Sequence, residues 1–357
     1  MDTDMKLSGK TVLIIGGTGS LGKILTRRIL TNEIGKPKKI IIFSRDEAKQ
    51  NDMRLAYQNK SVATDEVIYN NFKELVEFRI GDVRDFHSVA SALISVDIVF
   101  NAAALKQVPS CEYFPYEAVL TNITGPENIV RAIRENKLDV ETVVGISTDK
   151  ACKPVNVMGM TKALQERVFI TANLTCPNAR FICVRYGNVL ASRGSVIPLF
   201  LSQIKAGGPV TLTTPEMTRF LSSLDDAVDV VFAAVRGANR GETYIPRVPS
   251  ALMRDLASVM IGDLKLPVKI TGIRPGEKVH EILISDEESQ RTVERGKYFA
   301  IKPMLPEIVV NPKEKAVLMA EFGSADNLMN PDELKALLKR KDLMTPMDEG
   351  AMAELLR

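Results

Sequence analysis

The feature that most constrains the fold is a glycine-rich loop between a strand and a helix near the N-terminus. The apolar run Lys10–Ile15 predicts a strand, residues 16–22 read GGTGSLG, and Lys23–Leu30 alternates apolar and basic residues with helical period. A dinucleotide-binding loop requires this context, because its glycines permit a tight turn, close approach to a pyrophosphate and close packing of the helix on the strand. The predicted cofactor residues of this loop are Gly16, Thr18, Gly19, Ser20, Leu21 and Gly22.

Five further apolar runs, separated by helical or polar segments, predict the strands that follow. They are Lys39–Phe43, Val76–Ile80, Asp97–Asn101, Val140–Ile146 and Phe181–Tyr186. Because strands alternate with helices, the pattern predicts an α/β fold with a Rossmann-like, doubly wound parallel sheet. Ligands of such sheets bind beyond the carboxyl ends of the strands.

The sequence pattern changes after about residue 188. Strands and helices alternate less regularly there, and proline and glycine become more frequent. We therefore predict a dinucleotide-binding domain at 1–187 and a smaller C-terminal α/β substrate domain at 188–357. The second domain ends in a helical tail. In that tail, Asn327–Leu337 has the pattern of a helix that is capped by Asn330 or Asp332.

The residues after the second strand bear on the choice between NADP and NAD. An NAD-specific protein usually carries an acid here for the ribose 2′-hydroxyl, whereas this strand ends in Ser44, Arg45 and Asp46. A hydroxyl and a guanidinium suit a 2′-phosphate, which favours NADP. Two other interpretations stay open: Arg45 is a solvated loop cation, or Asp46 serves the 2′-hydroxyl of NAD.

Other strand ends supply further candidate cofactor residues. Asp82 follows the third strand, where its carboxylate could accept a hydrogen bond from the adenine amino group. Small residues after the fourth strand would let the cofactor lie flat against the sheet edge. Lys106 then lies on a loop that faces the crevice, and Asn122 lies early in a helix predicted at Leu120–Lys137. The predicted set is Asp82, Val83, Ala102, Ala103, Ala104, Lys106 and Asn122.

The stretch from residue 147 to residue 162 contains the candidate catalytic groups. Thr148, Asp149 and Lys150 follow the apolar core of the fifth predicted strand, at the end where ligands bind. Met158 and Lys162 are four residues apart, so on a helix they face the same cleft. The predicted catalytic set is Thr148, Asp149, Lys150, Met158 and Lys162.

Three arginines of the second half are candidates for binding a substrate diphosphate. They lie in or beside predicted loops, and rigidly held guanidinium groups suit a diphosphate. The interpretation that they are unrelated surface arginines is equally open. The predicted substrate set is Lys106, Asn188, Arg193, Val196, Arg219, Arg274 and Glu277.

The composition argues against several classes of protein. The net charge of +3 is evenly spread, which is not typical of binding to nucleic acid or to an anionic membrane surface. Apolar runs fall short of the ~20 residues of a membrane span. The four cysteines have no CxxC spacing and no long apolar segment follows the N-terminus, so we expect reduced thiols in a cytoplasmic protein. With two histidines, no metal site is expected.

Together these motifs resemble those of the extended short-chain dehydrogenases/reductases. Within that family the chain is similar to the nucleotide-sugar 4,6-dehydratases that act on UDP-N-acetylglucosamine. The matching motifs are GGTGSLG at 16–22, SRDE at 44–47, GDVRD at 81–85, NAAALKQVP at 101–109, STDKACKPVNVMGMTK at 147–162, RYGNV at 185–189, RGSVIP at 193–198 and RPGEK at 274–278.

The resemblance implies roles for the residues of the central stretch. Thr148 would hydrogen-bond the sugar 4-hydroxyl, Asp149 would protonate the departing C6 hydroxyl, and Lys150 would remove the C5 proton. Lys162 would hold the nicotinamide ribose. Met158 stands where the family has a catalytic tyrosine, which resembles the subgroup that retains the C5 configuration. The Ser-Arg pair at 44–45 is more similar to the inverting subgroup.

The leading hypothesis from the sequence is therefore a retaining UDP-N-acetylglucosamine 4,6-dehydratase of bacterial surface-glycan biosynthesis, with a bound and recycled NADP. The resemblance also implies a homo-oligomer that pairs through a helix bundle. For Lys150 to act as a base we expect its pKa to be depressed by burial beside cations or an apolar wall. A thioether cannot take the 4-hydroxyl proton, so Asp149, or water relayed through Thr148, is the candidate acceptor.

Several alternatives stay open. An inverting dehydratase or a GDP-sugar dehydratase would keep the same fold. A 4-epimerase is disfavoured, because Asp149 and Lys150 would then have no elimination to perform. A non-catalytic NADP-binding scaffold is the alternative from a different functional class, since the tyrosine is missing.

Overall fold

The computed structural model describes residues 5–58, 66–190, 196–341 and 343–344. The strands are β1 (Thr11–Ile15), β2 (Lys39–Ser44), β3 (Val76–Ile80), β4 (Ile98–Asn101), β5 (Thr142–Thr148), β6 (Arg180–Tyr186), β7 (Val210–Leu212), β8 (Thr218–Phe220), β9 (Thr243–Pro246), β10 (Ser250–Leu252), β11 (Val268–Ile270), β12 (Ile282–Ile284), β13 (Thr292–Arg295), β14 (Tyr298–Ile301) and β15 (Phe322–Gly323).

The α-helices are α1 (Ser20–Leu30), α2 (Glu47–Gln58), α3 (Glu66–Leu75), α4 (Phe86–Ala92), α5 (Val108–Tyr113), α6 (Pro115–Val119), α7 (Gly125–Glu135), α8 (Val157–Thr175), α9 (Val196–Lys205), α10 (Leu224–Gly237), α11 (Met253–Ile261), α12 (Asp286–Ser289) and α13 (Pro331–Arg340). A π-helical turn at Leu120–Thr124 joins α6 to α7, and a 3₁₀ turn at Asp149–Ala151 follows β5. Within the described ranges, no helix has the length and apolar character needed to cross a membrane.

The main sheet has nine strands in the order β13-β14-β9-β6-β5-β4-β1-β2-β3. Neighbouring strands from β3 to β9 pair in parallel, and β14 and β13 complete one edge in antiparallel fashion. The chain runs outward from β1 to β3 and then crosses to β4 on the other side of β1. Order therefore reverses between β1 and β4, where doubly wound sheets bind ligands. The predicted Rossmann-like parallel sheet is confirmed.

Both faces of the sheet are covered, which explains why the strands read as continuous apolar runs. In β1, Val12 and Ile14 pack on the side of α1 and α10, whereas Leu13 and Ile15 pack on the side of α4, α7 and α8. β5 runs two residues later than predicted, and Thr148 pairs with Tyr186 of β6. The fifth strand thus delivers Thr148 directly to the ligand edge of the sheet.

The second half of the chain does not form a wholly separate layer. β9, β13 and β14 extend the main sheet, while two-stranded pairs β7/β11, β8/β10 and β12/β15 and helices α9, α11 and α13 pack beside it. The boundary predicted at 187/188 stays a prediction, but the two halves share one sheet. In the tail, α13 begins after Asn330, whose side chain forms a capping box with Glu333.

Candidate active site

The glycine-rich loop forms a cradle at the switch point. Gly16 has φ +78°, and a Cβ placed there would lie 2.6 Å from the backbone nitrogen of Ala103, so only glycine fits. A Cβ on Gly22 would meet the carbonyl of Gly17, which lets α1 pack close to the loop. The N-cap of α1 is Gly19, which makes no side-chain cap, so the first N–H groups of the helix remain available to a phosphate. This geometry fits a dinucleotide pyrophosphate.

The tip of β2 presents a hydroxyl and a cation beside this cradle. The Ser44 hydroxyl is buried and accepts a hydrogen bond from Thr18 at 3.1 Å. The Arg45 side chain is 61% exposed, with its guanidinium 3.8 Å from Asp82. Asp46 is paired with Lys49 at 2.5 Å, and hydrogen bonds from Lys49 lower the pKa of Asp46. The carboxylate of Asp46 is thus engaged locally, whereas Arg45 extends towards solvent.

Asp82 is held by the neighbouring Arg84. Arg84 donates to both of its carboxylate oxygens, at 2.6 to 3.0 Å. Burial by itself would raise the pKa of Asp82, but the hydrogen bonds and charge of Arg84 outweigh it and lower that pKa. Val83 is buried under Gly125, and its carbonyl accepts from Asn128. The cofactor contacts of Asp82 and Val83 stay predictions.

The loop after β4 is fastened by a fully buried amide. Asn122 donates to the Leu105 carbonyl and to the Thr161 hydroxyl, both at 3.0 Å, and accepts from the Leu105 N–H at 2.8 Å. In the structure the Asn122 amide clamps the loop of residues 102–106 to α8. The contact of Asn122 with the cofactor stays a prediction. Lys106 is exposed on that loop, and Ala102 and Ala103 are half-buried beside the glycine cradle, with Ala104 exposed.

The 3₁₀ turn after β5 brings three candidate catalytic groups together. The Thr148 hydroxyl donates to Asp149 Oδ1 at 2.8 Å, and Lys150 Nζ donates to the same oxygen at 3.1 Å. Asp149 is fully buried, and its Oδ2 accepts no hydrogen bond from the described residues. Lys150 Nζ also donates to Asn188 Oδ1 at 3.0 Å and lies 3.5 Å from Glu281 Oε1. The turn therefore presents an acid and an amine in direct contact.

The pKa of Lys150 is raised, so the expectation of a depressed value is wrong. Burial lowers the pKa of this lysine, but the charge of Asp149, and after it that of Glu281, outweighs burial; Arg219 opposes them only in part. The carboxylate of Glu281 lies 131 positions further along the chain, so the residues around Lys150 in the sequence do not reveal it. At rest, Lys150 is an ammonium ion.

Met158 and Lys162 share one face of α8, as their spacing predicts. Met158 is buried against Cys111 and Ala118. Lys162 Nζ donates to the Ile146 carbonyl at 2.5 Å and to Gln165 at 2.6 Å. Burial lowers the pKa of Lys162 to about 8. The contact of Lys162 with a nicotinamide ribose stays a prediction.

The predicted substrate residues are distributed around the cluster. Asn188 touches Lys150, whereas Val196 begins α9. Arg219 donates to the carbonyls of Thr218 and Val279 at 2.7 and 3.1 Å. The diphosphate role of Arg219 stays a prediction.

Two of the remaining three substrate candidates lie in the RPGEK segment. The Arg274 side chain is 68% exposed, 4.0 Å from Glu277, whose Oε2 is buried without a partner among the described residues. Arg193 lies outside the described residues. The substrate roles of Arg274, Glu277 and Arg193 stay predictions.

Sequence reasoning missed three groups that line the cluster. Glu281 lies beside Lys150, Lys278 donates to the Cys152 carbonyl at 2.6 Å, and Tyr186 is paired in register with Thr148. Burial lowers the pKa of Lys278, and burial and the Asp149 charge raise that of Tyr186. Lys278 is the last residue of the RPGEK motif, Tyr186 lies in the RYGNV motif, and Glu281 follows RPGEK by three residues, so the signal in the sequence was membership of these motifs or nearness to them.

A buried ion network supports the turn from behind. Arg185 of β6 donates to both oxygens of Glu166 on α8 and to both oxygens of Glu288 on α12, at 2.7 to 3.0 Å. The Ser147 hydroxyl, two residues before the 3₁₀ turn, donates to Glu166. The guanidinium thus ties the ends of β5 and β6 to two helices.

Comparisons with known proteins agree with this architecture. A protein-family model described as "Polysaccharide biosynthesis protein" matches residues 12–303. A protein of Rickettsia bellii named UDP-glucose 4-epimerase is 43% identical over 345 residues, 93% of this chain and 96% of its own length. A Rickettsia conorii protein of the same name is 42% identical over 345 residues, with the same coverage.

Two solved structures extend the comparison. The X-ray structure of Pen from Bacillus thuringiensis is 35% identical, with a TM-score of 0.82 over 94% of this chain and 99% of that chain. DesIV, a dTDP-glucose 4,6-dehydratase from Streptomyces venezuelae with NAD bound, is 20% identical, with a TM-score of 0.63 over 75% of this chain and 86% of that chain; it shows likeness of fold alone. With the matched family model and these relatives, the chain belongs to the polysaccharide biosynthesis protein family.

Proposed function

We propose that the protein is a UDP-N-acetylglucosamine 4,6-dehydratase that forms UDP-2-acetamido-2,6-dideoxy-4-keto-hexose for bacterial surface glycans. The observation that carries the proposal is the contact between Asp149 and Lys150 at the end of β5, beside a glycine cradle that fits a dinucleotide. Elimination of water needs an acid for the leaving hydroxyl and a base for the adjacent proton. This pair supplies both groups in one turn.

A bound nicotinamide dinucleotide would supply a hydride acceptor for sugar C4 and a donor for C6. Thr148 would hold the 4-hydroxyl and pass its proton to Asp149, which is 2.8 Å away. Asp149 would then give that proton to the C6 oxygen, which leaves as water. Lys150 would take the C5 proton after its ammonium has released one proton to solvent, and would return a proton to C5 when hydride adds to C6. The proton lost from O4 thus departs with O6, and no tyrosine at the position of Met158 is needed.

The stereochemistry at C5 and the sugar nucleotide are the finer parts of the proposal. Methionine at 158 is the residue that favours retention at C5, and proton NMR of the product sugar measures it directly. A product with inverted configuration at C5 would show that the enzyme is of the inverting type, and the dehydratase proposal would stand. We also propose a homo-oligomer, which light scattering of the purified protein tests.

The decisive experiment is incubation with UDP-N-acetylglucosamine in deuterium oxide without added cofactor. We expect a 4-keto-6-deoxy product that has gained one deuterium at C5, because the proton taken by Lys150 exchanges with solvent. Intact substrate with tightly bound nucleotide would instead support a non-catalytic scaffold. Intact substrate and no bound nicotinamide nucleotide would overturn the proposal altogether.

A second candidate is a nucleotide-sugar 4-epimerase, which the names of the curated relatives favour. An epimerase would invert C4, keep the C6 hydroxyl and leave the C5 proton unexchanged. The contact between the buried Asp149 and Lys150 favours the dehydratase, since epimerisation needs no elimination across C5 and C6. The same NMR spectrum separates the two, because only the dehydratase product has a C6 methyl group.

NADP is the proposed cofactor, with NAD as the alternative, and Arg45 is its test. Replacing Arg45 with alanine should weaken NADP relative to NAD by about ten- to hundred-fold, the effect of losing a charged hydrogen bond of about 1.5–3 kcal/mol. Chromatography of the nucleotide released from the purified protein measures the ratio. The control Arg54→Ala removes a guanidinium of α2 that lies over Phe78 of β3, and should leave the ratio unchanged. A wild-type ratio in Arg45→Ala would favour the solvated-cation interpretation.

A further inference from the structure

Glu281 is a buried carboxylate that the second half of the chain brings into the catalytic cluster. Its side chain is 4% exposed, and Oε1 lies 3.5 Å from Lys150 Nζ and 4.0 Å from Arg219 Nε. Oε2 is buried and accepts no hydrogen bond from the described residues. Because an ionised carboxylate is costly to bury, its position is explained by the cations beside it.

The backbone holds Glu281 in a fixed place. Its N–H donates to the Ser324 hydroxyl at 2.9 Å, and its carbonyl accepts from the Ser324 N–H at 2.7 Å. β12 begins at the next residue and pairs with β15. Backbone hydrogen bonds therefore hold Glu281 beside the turn that carries Lys150.

The Lys150 ammonium has an oxygen neighbour for each of its three protons. Asp149 Oδ1 and Asn188 Oδ1 accept hydrogen bonds at 3.1 and 3.0 Å, and Glu281 Oε1 lies 3.5 Å away. An ammonium group has three donors and no acceptor, so this arrangement matches the charged lysine. A neutral amine would leave the carboxylates of Asp149 and Glu281 without the ammonium that lies beside both.

We propose that Glu281 is a positioning residue that holds the Lys150 ammonium in place and sets the pH range in which Lys150 works as a base. This inference rests on the proposed dehydratase function. Glu281 approaches from outside the turn, so it changes the charge around Lys150 without belonging to the acid–base pair itself. The charge of Glu281 is the largest after that of Asp149 in raising the pKa of Lys150.

Other charged groups around the pair limit the size of the effect. Arg219 on β8 faces both Lys150 and Glu281 and opposes the carboxylates. Lys278 and Tyr186 face Asp149, and the exposed His280 contacts the Thr218 hydroxyl through Nδ1. None of these groups is an acid that would replace Glu281 beside Lys150.

The test is the pH dependence of dehydration by Glu281→Gln. Loss of the carboxylate lowers the pKa of Lys150, so the neutral amine forms at lower pH. The acidic limb of kcat should therefore move down by about one pH unit, the lower end of the effect of a nearby opposite charge. Glu281→Asp keeps the charge but withdraws it by one methylene, and should move the limb in the same direction by less. The control Glu321→Gln removes a carboxylate that pairs with Lys153 at 2.5 Å outside the cluster, and should not move it.

An unmoved limb in Glu281→Gln would overturn the inference, as would an equal loss of activity at every pH, which a merely structural role predicts. Should Glu281→Gln fail to fold, a wild-type limb in Glu281→Asp would overturn it. Failure of the proposed function is a separate result. It is seen in the wild-type protein, which would then form no 4-keto-6-deoxy sugar.

Discussion

Replacing Lys150 with methionine is expected to lower the proposed dehydration of UDP-N-acetylglucosamine by about 10²–10⁴-fold, the usual value of a positioned base. Methionine keeps the length of the side chain but cannot take the C5 proton. Hydride removal from C4 does not need this amine. The variant should therefore reach the 4-ketone and stop, and the absorbance of the reduced nicotinamide should rise on adding substrate and persist.

Lys153→Met is the matched control for this experiment. Lys153 is exposed and lies three residues after Lys150. Its Nζ pairs with Asp286 at 2.8 Å, outside the cluster. Its replacement should leave turnover unchanged. Full turnover in Lys150→Met would remove the assignment of Lys150 as the base, whereas loss in both variants would point to disruption of the turn. A melting curve of each variant separates lost chemistry from lost folding.

The second large effect is on stability. Arg185→Met should lower the free energy of unfolding by about 3–5 kcal/mol, because it leaves Glu166 and Glu288 buried without their shared cation. A loss of that size should lower the melting temperature by about 10 °C, which thermal denaturation measures. The control is the exposed Arg167 on α8, the helix that carries Glu166. Arg167→Met should change the free energy of unfolding by no more than about 0.5 kcal/mol.

The stability difference between wild type and Arg185→Met should depend on pH in a direction that the pKa of Glu288 determines. Burial raises the pKa of Glu288, but Arg185 outweighs burial and holds that pKa at about 2. The wild-type protein therefore has this stability above the ordinary carboxyl range and loses it as pH falls towards 2. Without Arg185, burial should raise the pKa of Glu288, so the variant loses stability as pH rises. The difference between the two proteins should be larger at pH 8 than at pH 5, and an equal difference would contradict the ion network as its cause.

A compensated variant tests the same network from the other side. Adding Glu166→Gln and Glu288→Gln to Arg185→Met removes the uncompensated charges. It should recover part of the lost stability, because replacing every charge of a buried network is far less costly than removing one. No recovery would show that packing of the arginine, rather than charge, provides the stabilisation.

Local sequence patterns were sufficient to predict the fold. The strand, loop and helix at residues 10–30 define a dinucleotide cradle because a tight turn with φ +78° at Gly16 excludes any side chain. Apolar runs predicted β1 to β6, and β1, β2, β4, β5 and β6 show no alternation because they are buried on both faces. Neighbouring residues such as Thr148, Asp149 and Lys150 could also be placed together, because one strand end carries all three.

Only the tertiary structure determined the electrostatics of the site. The pKa of Lys150 is raised because the fold brings Glu281 from a distant segment to within 3.5 Å, and the charge of a partner cannot be inferred without its position. Asn122 lies in the helix that the sequence predicts, yet only the packing of α8 shows that its amide is occupied within the protein. Hydrophobic periodicity fixes what is buried, whereas the balance between burial and opposing charge depends on groups that meet only in the folded chain.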